Sequence, residues 1–313
     1  TTGANNIALG SGALDANTTA NYNTAVGRDA LTLNTTGTQN VAIGGLALDA
    51  NTTANNNTAL GYSSLTTNTT GSENTAVGMK SLEMTTTGTG NTAVGSNALE
   101  ENTTASNNTA VGNSALTLNT TGAQNVAVGA LALDANTDQS NNTAIGYAAL
   151  GANTGGTRLV AVGMNALTQN TTGNNNVAVG NNALDACTQG ADNVALGYNT
   201  LGALTTASNN TAIGHKVLED STSGAQLTGL GAFALTNNTT GDDNSPLGYG
   251  TLSSNTTGSH NTAVGRHALN ANTTASNNTA IGRSSLLLNT TGTNNVAVGA
   301  YALDANTTNS NSV

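Results

Sequence analysis

The chain has 313 residues, of which only 7% are charged and 2% aromatic, and its formal net charge is −10. No basic run is present, which argues against nucleic acid and against an anionic membrane surface as partners. The single cysteine, Cys187, excludes an intrachain disulfide, and no apolar run approaches the roughly 20 residues of a membrane-spanning helix.

A 17-residue unit repeats along the whole chain. Its closing glycine stands at Gly10, Gly27, Gly44 and onward to Gly299, which makes eighteen copies without an insertion or a deletion. A fixed short period indicates a repeat architecture in which each copy packs on its neighbours. The sequence therefore predicts a single continuous repeat array over residues 1–313, with a degenerate stretch at about residues 200–250 and no separate globular domain.

Each copy is numbered here from the Asn of the motif NTAVG, which is position 1. Positions 1 to 4 alternate and predict a short strand, with the Thr or Val of position 2 and the aliphatic residue of position 4 facing the core. The Gly of position 5 predicts a corner, and Ala-Leu at positions 8 and 9 predicts a second buried element, either a short strand or one helical turn. Asn-Thr-Thr at positions 12 to 14 predicts a turn back.

These elements make each copy one coil of an all-β fold, a β-solenoid or parallel β-roll of eighteen 17-residue coils. Stacked Asn and Thr columns are expected to form side-chain hydrogen-bond ladders. Position 3 is Ala in every copy except Gly229 and Pro246, although it faces away from the predicted core. Such a restriction indicates close packing against another copy of the chain, and a parallel homotrimeric rod is the preferred assembly.

Two resemblances support this interpretation. The unit NTAVGxxALxxNTTGxx resembles repeats of phage tail-fibre-like and bacterial surface proteins over essentially the whole chain. The strands NVAIG and NVAVG are similar to the SVAIG motif of trimeric autotransporter adhesin heads, which implies a trimeric left-handed parallel β-roll. Those heads use a shorter repeat. The resemblances imply an extracellular fibre shaft or spacer of an attachment appendage, on a virion tail or a bacterial cell surface. Separately, the exposed coil ends of a solenoid also suit end-to-end stacking into filaments.

The sequence offers no arrangement typical of an enzyme, a cofactor site or a metal site. Its three histidines lack an accompanying acid and nucleophile, and the Asp of position 10 recurs in only some copies. Two other functions stay open. One is a bacterial adhesin or filament that binds glycans or receptors along its side. The other is an ice-binding solenoid, although Thr dominates the adjacent positions 13 and 14 instead of two columns two residues apart.

Positions 6 and 7, directly after the corner Gly, hold nearly all the bulky and basic side chains. Five of the six Tyr, the only Phe and five of the six Lys and Arg residues stand there. Their variability indicates an outward corner, and exposed Tyr and Arg are residue types that dominate binding hot spots. The candidate lateral binding ridge for a cell-surface glycan or receptor consists of Arg28, Tyr62, Tyr147, Tyr198, Phe233, Tyr249, Arg266, Arg283 and Tyr301.

Overall fold

The computed structural model describes residues 2–313, and in them the only regular elements are eighteen three-residue strands. The chain divides into two compact units, unit 1 (Thr1–Thr157) and unit 2 (Arg158–Val313). The described residues contain no helix that is long and apolar enough to cross a membrane. The strands of unit 1 are β1 (Ile7–Leu9), β2 (Thr24–Val26), β3 (Val41–Ile43), β4 (Thr58–Leu60), β5 (Thr75–Val77), β6 (Thr92–Val94), β7 (Thr109–Val111), β8 (Val126–Val128) and β9 (Thr143–Ile145). Those of unit 2 are β10 (Val160–Val162), β11 (Val177–Val179), β12 (Val194–Leu196), β13 (Thr211–Ile213), β14 (Thr228–Leu230), β15 (Ser245–Leu247), β16 (Thr262–Val264), β17 (Thr279–Ile281) and β18 (Val296–Val298).

Within each unit, consecutive strands pair in parallel, and each residue lies beside its counterpart 17 residues later. Ala25 pairs with Ala42 in unit 1, and Ala178 pairs with Ala195 in unit 2. Parallel strands stack at about 4.8 Å, so every coil adds that rise to its unit. The predicted all-β solenoid of 17-residue coils is confirmed, whereas the single continuous array stays a prediction.

Hydrogen bonds between coils continue beyond the strands. At the corner, the Gly44 N–H donates to the Val26 carbonyl at 2.8 Å, and in the turn the Thr35 N–H donates to the Thr52 carbonyl at 2.9 Å. The Leu of position 9 takes part as well, because the Leu31 N–H donates to the carbonyl of the following coil at 2.9 Å. This Leu is in neither a strand nor a helical turn. In Leu31, φ is +55°, a left-handed conformation inside a tight turn, so the prediction for the second buried element was wrong in its backbone type.

The Gly of position 5 is required by both conformation and space. In Gly27, φ is +135°, a region that residues with a side chain rarely adopt. A Cβ added there would also lie 2.5 Å from the carbonyl oxygen of Gly44, the corner Gly of the following coil. The predicted corner is therefore confirmed.

The two faces of each strand are opposite to the prediction. Ala25 and Ala42 at position 3 are completely buried inside the coil. The aliphatic side chains of position 4 point outward, so that Ile43 is 36% exposed and Leu60 is 44% exposed. The interior is narrow, because the Leu of position 9 and buried Asn side chains fill most of it and leave little room at position 3, where most copies place a methyl group.

Buried asparagines hold each coil closed and link it to the next. The Nδ2 atoms of Asn40 (position 1) and Asn51 (position 12) both donate to the carbonyl of Ala54, at 2.8 and 3.2 Å. Asn51 also donates to Oδ1 of Asn34 in the preceding coil at 2.9 Å, and the Asn40 N–H donates to Oδ1 of Asn23 at 2.9 Å. Buried amides need such partners, and the predicted Asn ladder is confirmed.

Candidate functional site

A surface of aliphatic and hydroxyl-bearing side chains runs along each unit and is called here the outward face. It consists of the side chains of positions 2 and 4 of every strand, which share one side because alternate residues of a strand point to the same face. In unit 1 its position-4 members are Leu9, Val26, Ile43, Leu60, Val77, Val94, Val111, Val128 and Ile145. In unit 2 they are Val162, Val179, Leu196, Ile213, Leu230, Leu247, Val264, Ile281 and Val298.

The outward face is uncharged and regular. Positions 2 and 4 hold only Thr, Ser, Val, Ile and Leu in all eighteen copies. The in-register pairing places one aliphatic side chain about every 4.8 Å along a unit. Contiguous apolar patches of more than a few hundred Å² are rare on monomeric proteins and mark interaction surfaces. Chemically, this face suits burial against another apolar surface with the same spacing.

The ridge residues of unit 1 are not brought together. Arg28, Tyr62 and Tyr147 lie on the second, fourth and ninth coils, each after the corner Gly. All three are exposed to solvent. Arg28 Nε lies 3.5 Å from Oδ2 of the adjacent Asp29, an exposed ion pair of small energetic value. In unit 1 the ridge is therefore a set of separate side chains.

In unit 2, by contrast, five rings from consecutive coils form a continuous series, called here the ring row. Tyr198 stacks on His215 with 5.5 Å between ring centroids, and His215 meets the edge of Phe233 at 5.2 Å. Phe233 contacts Tyr249 at 5.7 Å, and Tyr249 contacts His267 at 5.4 Å, both edge to face. Such pairs contribute about 0.5–1.5 kcal/mol each beyond their area when well packed. The ring row includes three predicted ridge residues and brings them into one surface.

The two histidines of the ring row were not part of the predicted ridge. The signal for them was present, since His215 stands at position 6 and His267 at position 7, the same two positions as the aromatic residues. The repeat pattern alone does not show that side chains at positions 6 and 7 of consecutive coils contact one another. The rings meet because both positions project from the same corner.

Two arginines of the predicted ridge lie over aromatic rings. The Arg266 guanidinium is 5.8 Å from the centroid of Tyr249, and that of Arg283 is 5.4 Å from the centroid of Tyr301. Both distances are within the range of a cation–π interaction, worth about 0.5–1 kcal/mol at an exposed site. All six ridge residues predicted in unit 2 thus have an aromatic or cationic neighbour, whereas their binding role stays a prediction.

Lys80 Nζ forms ion pairs with Oε2 of Glu83 at 3.1 Å and with Oε1 of Glu100 in the next coil at 3.4 Å.

The partly buried aspartates lie apart from one another. Burial raises the pKa of Asp49, Asp134 and Asp185, which lie on separate coils. Burial likewise raises the pKa of the Cys187 thiol to about 11, so this group stays protonated and unreactive at neutral pH. Within residues 2–313, no three His, Cys, Asp or Glu side chains lie close enough together to hold a metal ion.

Comparison with known proteins does not assign the chain to a family. No protein-family model matches the chain, and a search of curated proteins finds no match either.

Proposed function

We propose that this chain is the shaft or spacer of an extracellular attachment appendage, assembled as a parallel homotrimer, and that its role is mechanical and not enzymatic. The outward face is the observation that carries the proposal. It places the largest aliphatic side chains of each strand in solvent while Ala fills the interior. A fibre in which these faces pack on one another would bury them.

The gain from burying this face is comparable in size to the cost of association. Full burial of a Leu or Val side chain contributes about 1.5–3 kcal/mol, and Leu60 still exposes 44% of its surface. Each coil therefore has about 1 kcal/mol to gain at position 4, which sums to roughly 9 kcal/mol over the nine coils of a unit. The free-energy costs of association, which are of the same order, have to be subtracted from this sum.

The spacing of the outward face favours a second copy of the chain as its partner. The sheet of an ordinary globular protein has the same spacing of about 4.8 Å but over only about 4–6 strands, whereas a parallel copy of this solenoid matches it coil for coil along a whole unit. Self-association through one equivalent surface also closes with rotational symmetry. The face is only two side chains wide, which suits three narrow faces around a common axis.

The extracellular setting is part of the proposal. It is supported by the resemblance of the repeat unit to those of phage tail-fibre-like and bacterial surface proteins. The hydrogen bonds that join coils at the strands, corners and turns also suit a stiff spacer. A virion tail and a bacterial cell surface are both compatible with these observations, and end-to-end stacking into filaments stays a further prediction.

The proposal is tested by the mass of the assembly in solution. Sedimentation of the chain, whose mass is 30.6 kDa, is expected to give three times that value. The double variant Ile43→Asp and Leu60→Asp places charges on the outward face and is expected to give monomers. In a trimer, each new carboxylate would be buried in the interface without an opposite charge beside it. The control is Leu33→Asp and Leu118→Asp, which are exposed aliphatic residues at position 11, outside that face.

Either of two results would contradict the proposal. A monomeric wild-type chain would exclude the trimer, and thermal hysteresis of that monomer would then favour the ice-binding alternative. A trimer that survives both double variants equally would show that the outward face is not the interface.

The ring row favours a second candidate function, lateral binding of a cell-surface glycan or receptor. Tyr249 is about half exposed and lies between two other rings, and Arg266 lies over it. A glycan array probed with the wild-type chain and with Tyr249→Ala tests this function. Loss of binding in that variant, and not in Tyr147→Ala, would support it. An array without any signal would oppose it.

A further inference from the structure

One place in unit 2 has weaker strand pairing than its neighbours. β14 and β15 pair only through Leu230 and Leu247, whereas β13–β14 and β15–β16 each pair through three residues. The centre of β15 is Pro246, which has no backbone N–H to donate. A proline in a central strand removes a hydrogen bond from the ladder, so the pairing of β14 with β15 is shorter than that of the neighbouring strands.

The buried Asn ladder of position 1 is interrupted at the same place. Leu227 takes position 1 of coil 14, and its N–H still donates to Oδ1 of Asn210 at 2.9 Å. Its own side chain has no oxygen to receive the N–H of Asn244 in coil 15, whereas Asn244 itself accepts from the next Asn of the column. The ladder of position 12 is intact between these coils, because Nδ2 of Asn255 in coil 15 donates to Oδ1 of Asn238 in coil 14 at 2.8 Å. The Leu at position 1 therefore removes one link that joins coils elsewhere.

The ring row spans this weak place. It begins on coil 12 with Tyr198 and ends on coil 16 with His267, so coils 14 and 15 lie within it. The contact between Phe233 and Tyr249, 5.7 Å between centroids, joins coil 14 directly to coil 15. The shortened strand pairing and the missing amide link of position 1 therefore coincide with a run of ring contacts on the corner.

We infer that the boundary between β14 and β15 is a built-in opening point of unit 2, and that the ring row is a clasp that keeps it closed. Repeat proteins unfold locally where the interface between neighbouring coils is weakest. With the clasp in place, the unit stays continuous. When the rings separate, coils 14 and 15 part before any other pair in the unit. This device does not depend on how the fibre assembles or on whether the rings bind a ligand.

Hydrogen exchange on the full-length chain tests this inference, with mass spectrometry reading peptides from every coil. In the wild type, amides of β14 and β15 are expected to exchange faster than those of β16 and β17. Tyr249→Ala removes the ring contacts to Phe233 and His267, and is expected to speed exchange at β14 and β15 by about tenfold. Pro246→Ala restores the residue of most other coils and is expected to slow it.

Tyr147→Ala is the matched control. Tyr147 also stands at position 6, and it is 55% exposed against 49% for Tyr249, but it belongs to unit 1 and is not part of the ring row. This variant is expected to leave exchange at β14 and β15 unchanged. Equal exchange in β14–β15 and β16–β17 of the wild type would overturn the opening point. A Tyr249→Ala variant that behaves like the control would overturn the clasp.

Discussion

Val217 and Gly229 are expected to be energetically coupled, because Val217 is larger and Gly229 is smaller than the Ala that usually occupies the same position of the repeat. Val217 stands at position 8, which holds Ala in most coils, and Gly229 stands at position 3, which holds Ala in all but two. Both are completely buried or nearly so. A Cβ added at Gly229 would lie 2.6 Å from Cγ1 of Val217, a distance that van der Waals repulsion forbids.

The magnitudes follow from the packing. Gly229→Ala overpacks the coil and is expected to cost about 1–3 kcal/mol. Val217→Ala leaves a cavity of two methyl groups, which costs about 2 kcal/mol at roughly 0.8 kcal/mol per group plus the cavity. The double variant places Ala at both positions, the combination that Ala115 and Ala127 form in unit 1. It is therefore expected to be close to the wild type, with a coupling energy of about 3–5 kcal/mol, the sum of the two single costs.

Native-state hydrogen exchange of the β13 and β14 amides measures this coupling in the full-length chain. Long repeat arrays can depart from two-state unfolding, so local protection is a better measure than a single melting temperature. Each single variant is expected to lower protection by about tenfold or more, since 1.4 kcal/mol corresponds to a factor of ten. If the two losses simply add in the double variant, the compensation between these residues is refuted.

Three further variants test the hydrogen bonds, the corner and the buried charge. Thr85→Asn is expected to stabilise unit 1 by about 1 kcal/mol in urea unfolding, because Oδ1 of the buried Asn68 would gain the donor that it lacks. Gly129→Ala is expected to cost about 3 kcal/mol or more by the same measurement, since φ is +135° there, whereas Gly151→Ala should cost little. Burial raises the pKa of Asp185 above its ordinary 3.8, so the folded state binds the carboxyl proton more tightly than the unfolded state does. The protein therefore loses stability as the pH rises from 3.8 to the raised pKa of the folded state. Asp185→Asn should therefore gain stability relative to the wild type between pH 3.8 and neutral pH, and equal gains at low and neutral pH would contradict this reasoning.

The stacking of coils could be predicted from the sequence because it depends on the period alone. An unbroken spacing of 17 residues allows only one register, in which Ala25 lies beside Ala42. The Gly of position 5 was equally readable, since a residue with a side chain cannot adopt its φ and cannot approach the next carbonyl so closely. Both inferences need only backbone geometry.

The direction of the strand faces could not be read in the same way. Alternation shows that positions 2 and 4 share a side, but it does not show which side is the interior. The prediction placed Val and Leu inside because large aliphatic residues are usually buried. Here the buried amides of Asn40 and Asn51 converge on one carbonyl from within the coil, and this leaves space for Ala42 but not for Ile43. A buried Asn on the same side as Ala was the missing signal.

The ring row was predictable only in part. Tyr198, Phe233 and Tyr249 were recognised as corner residues from their positions in the repeat. Their contacts also depend on the left-handed conformation at position 7, where Phe233 has φ of +60°, and on the alternation with His215 and His267. Such backbone detail is not encoded in hydrophobic periodicity, so the sequence showed a ridge but not a continuous surface.

The reversed strand faces change what stabilises a coil. Inside, Leu48 is the one large apolar side chain of its coil, accompanied by Ala42, Ala47 and hydrogen-bonded Asn amides. Within a single chain, each coil therefore depends mainly on hydrogen bonds to the coils on either side of it. The net contribution of each such bond is only about 1 kcal/mol. The larger aliphatic residues contribute fully only when the outward face is covered. On the proposed assembly, folding and trimer formation are consequently linked, and the Ile43→Asp and Leu60→Asp variant should lower thermal stability together with oligomer mass, whereas the position-11 control should change neither.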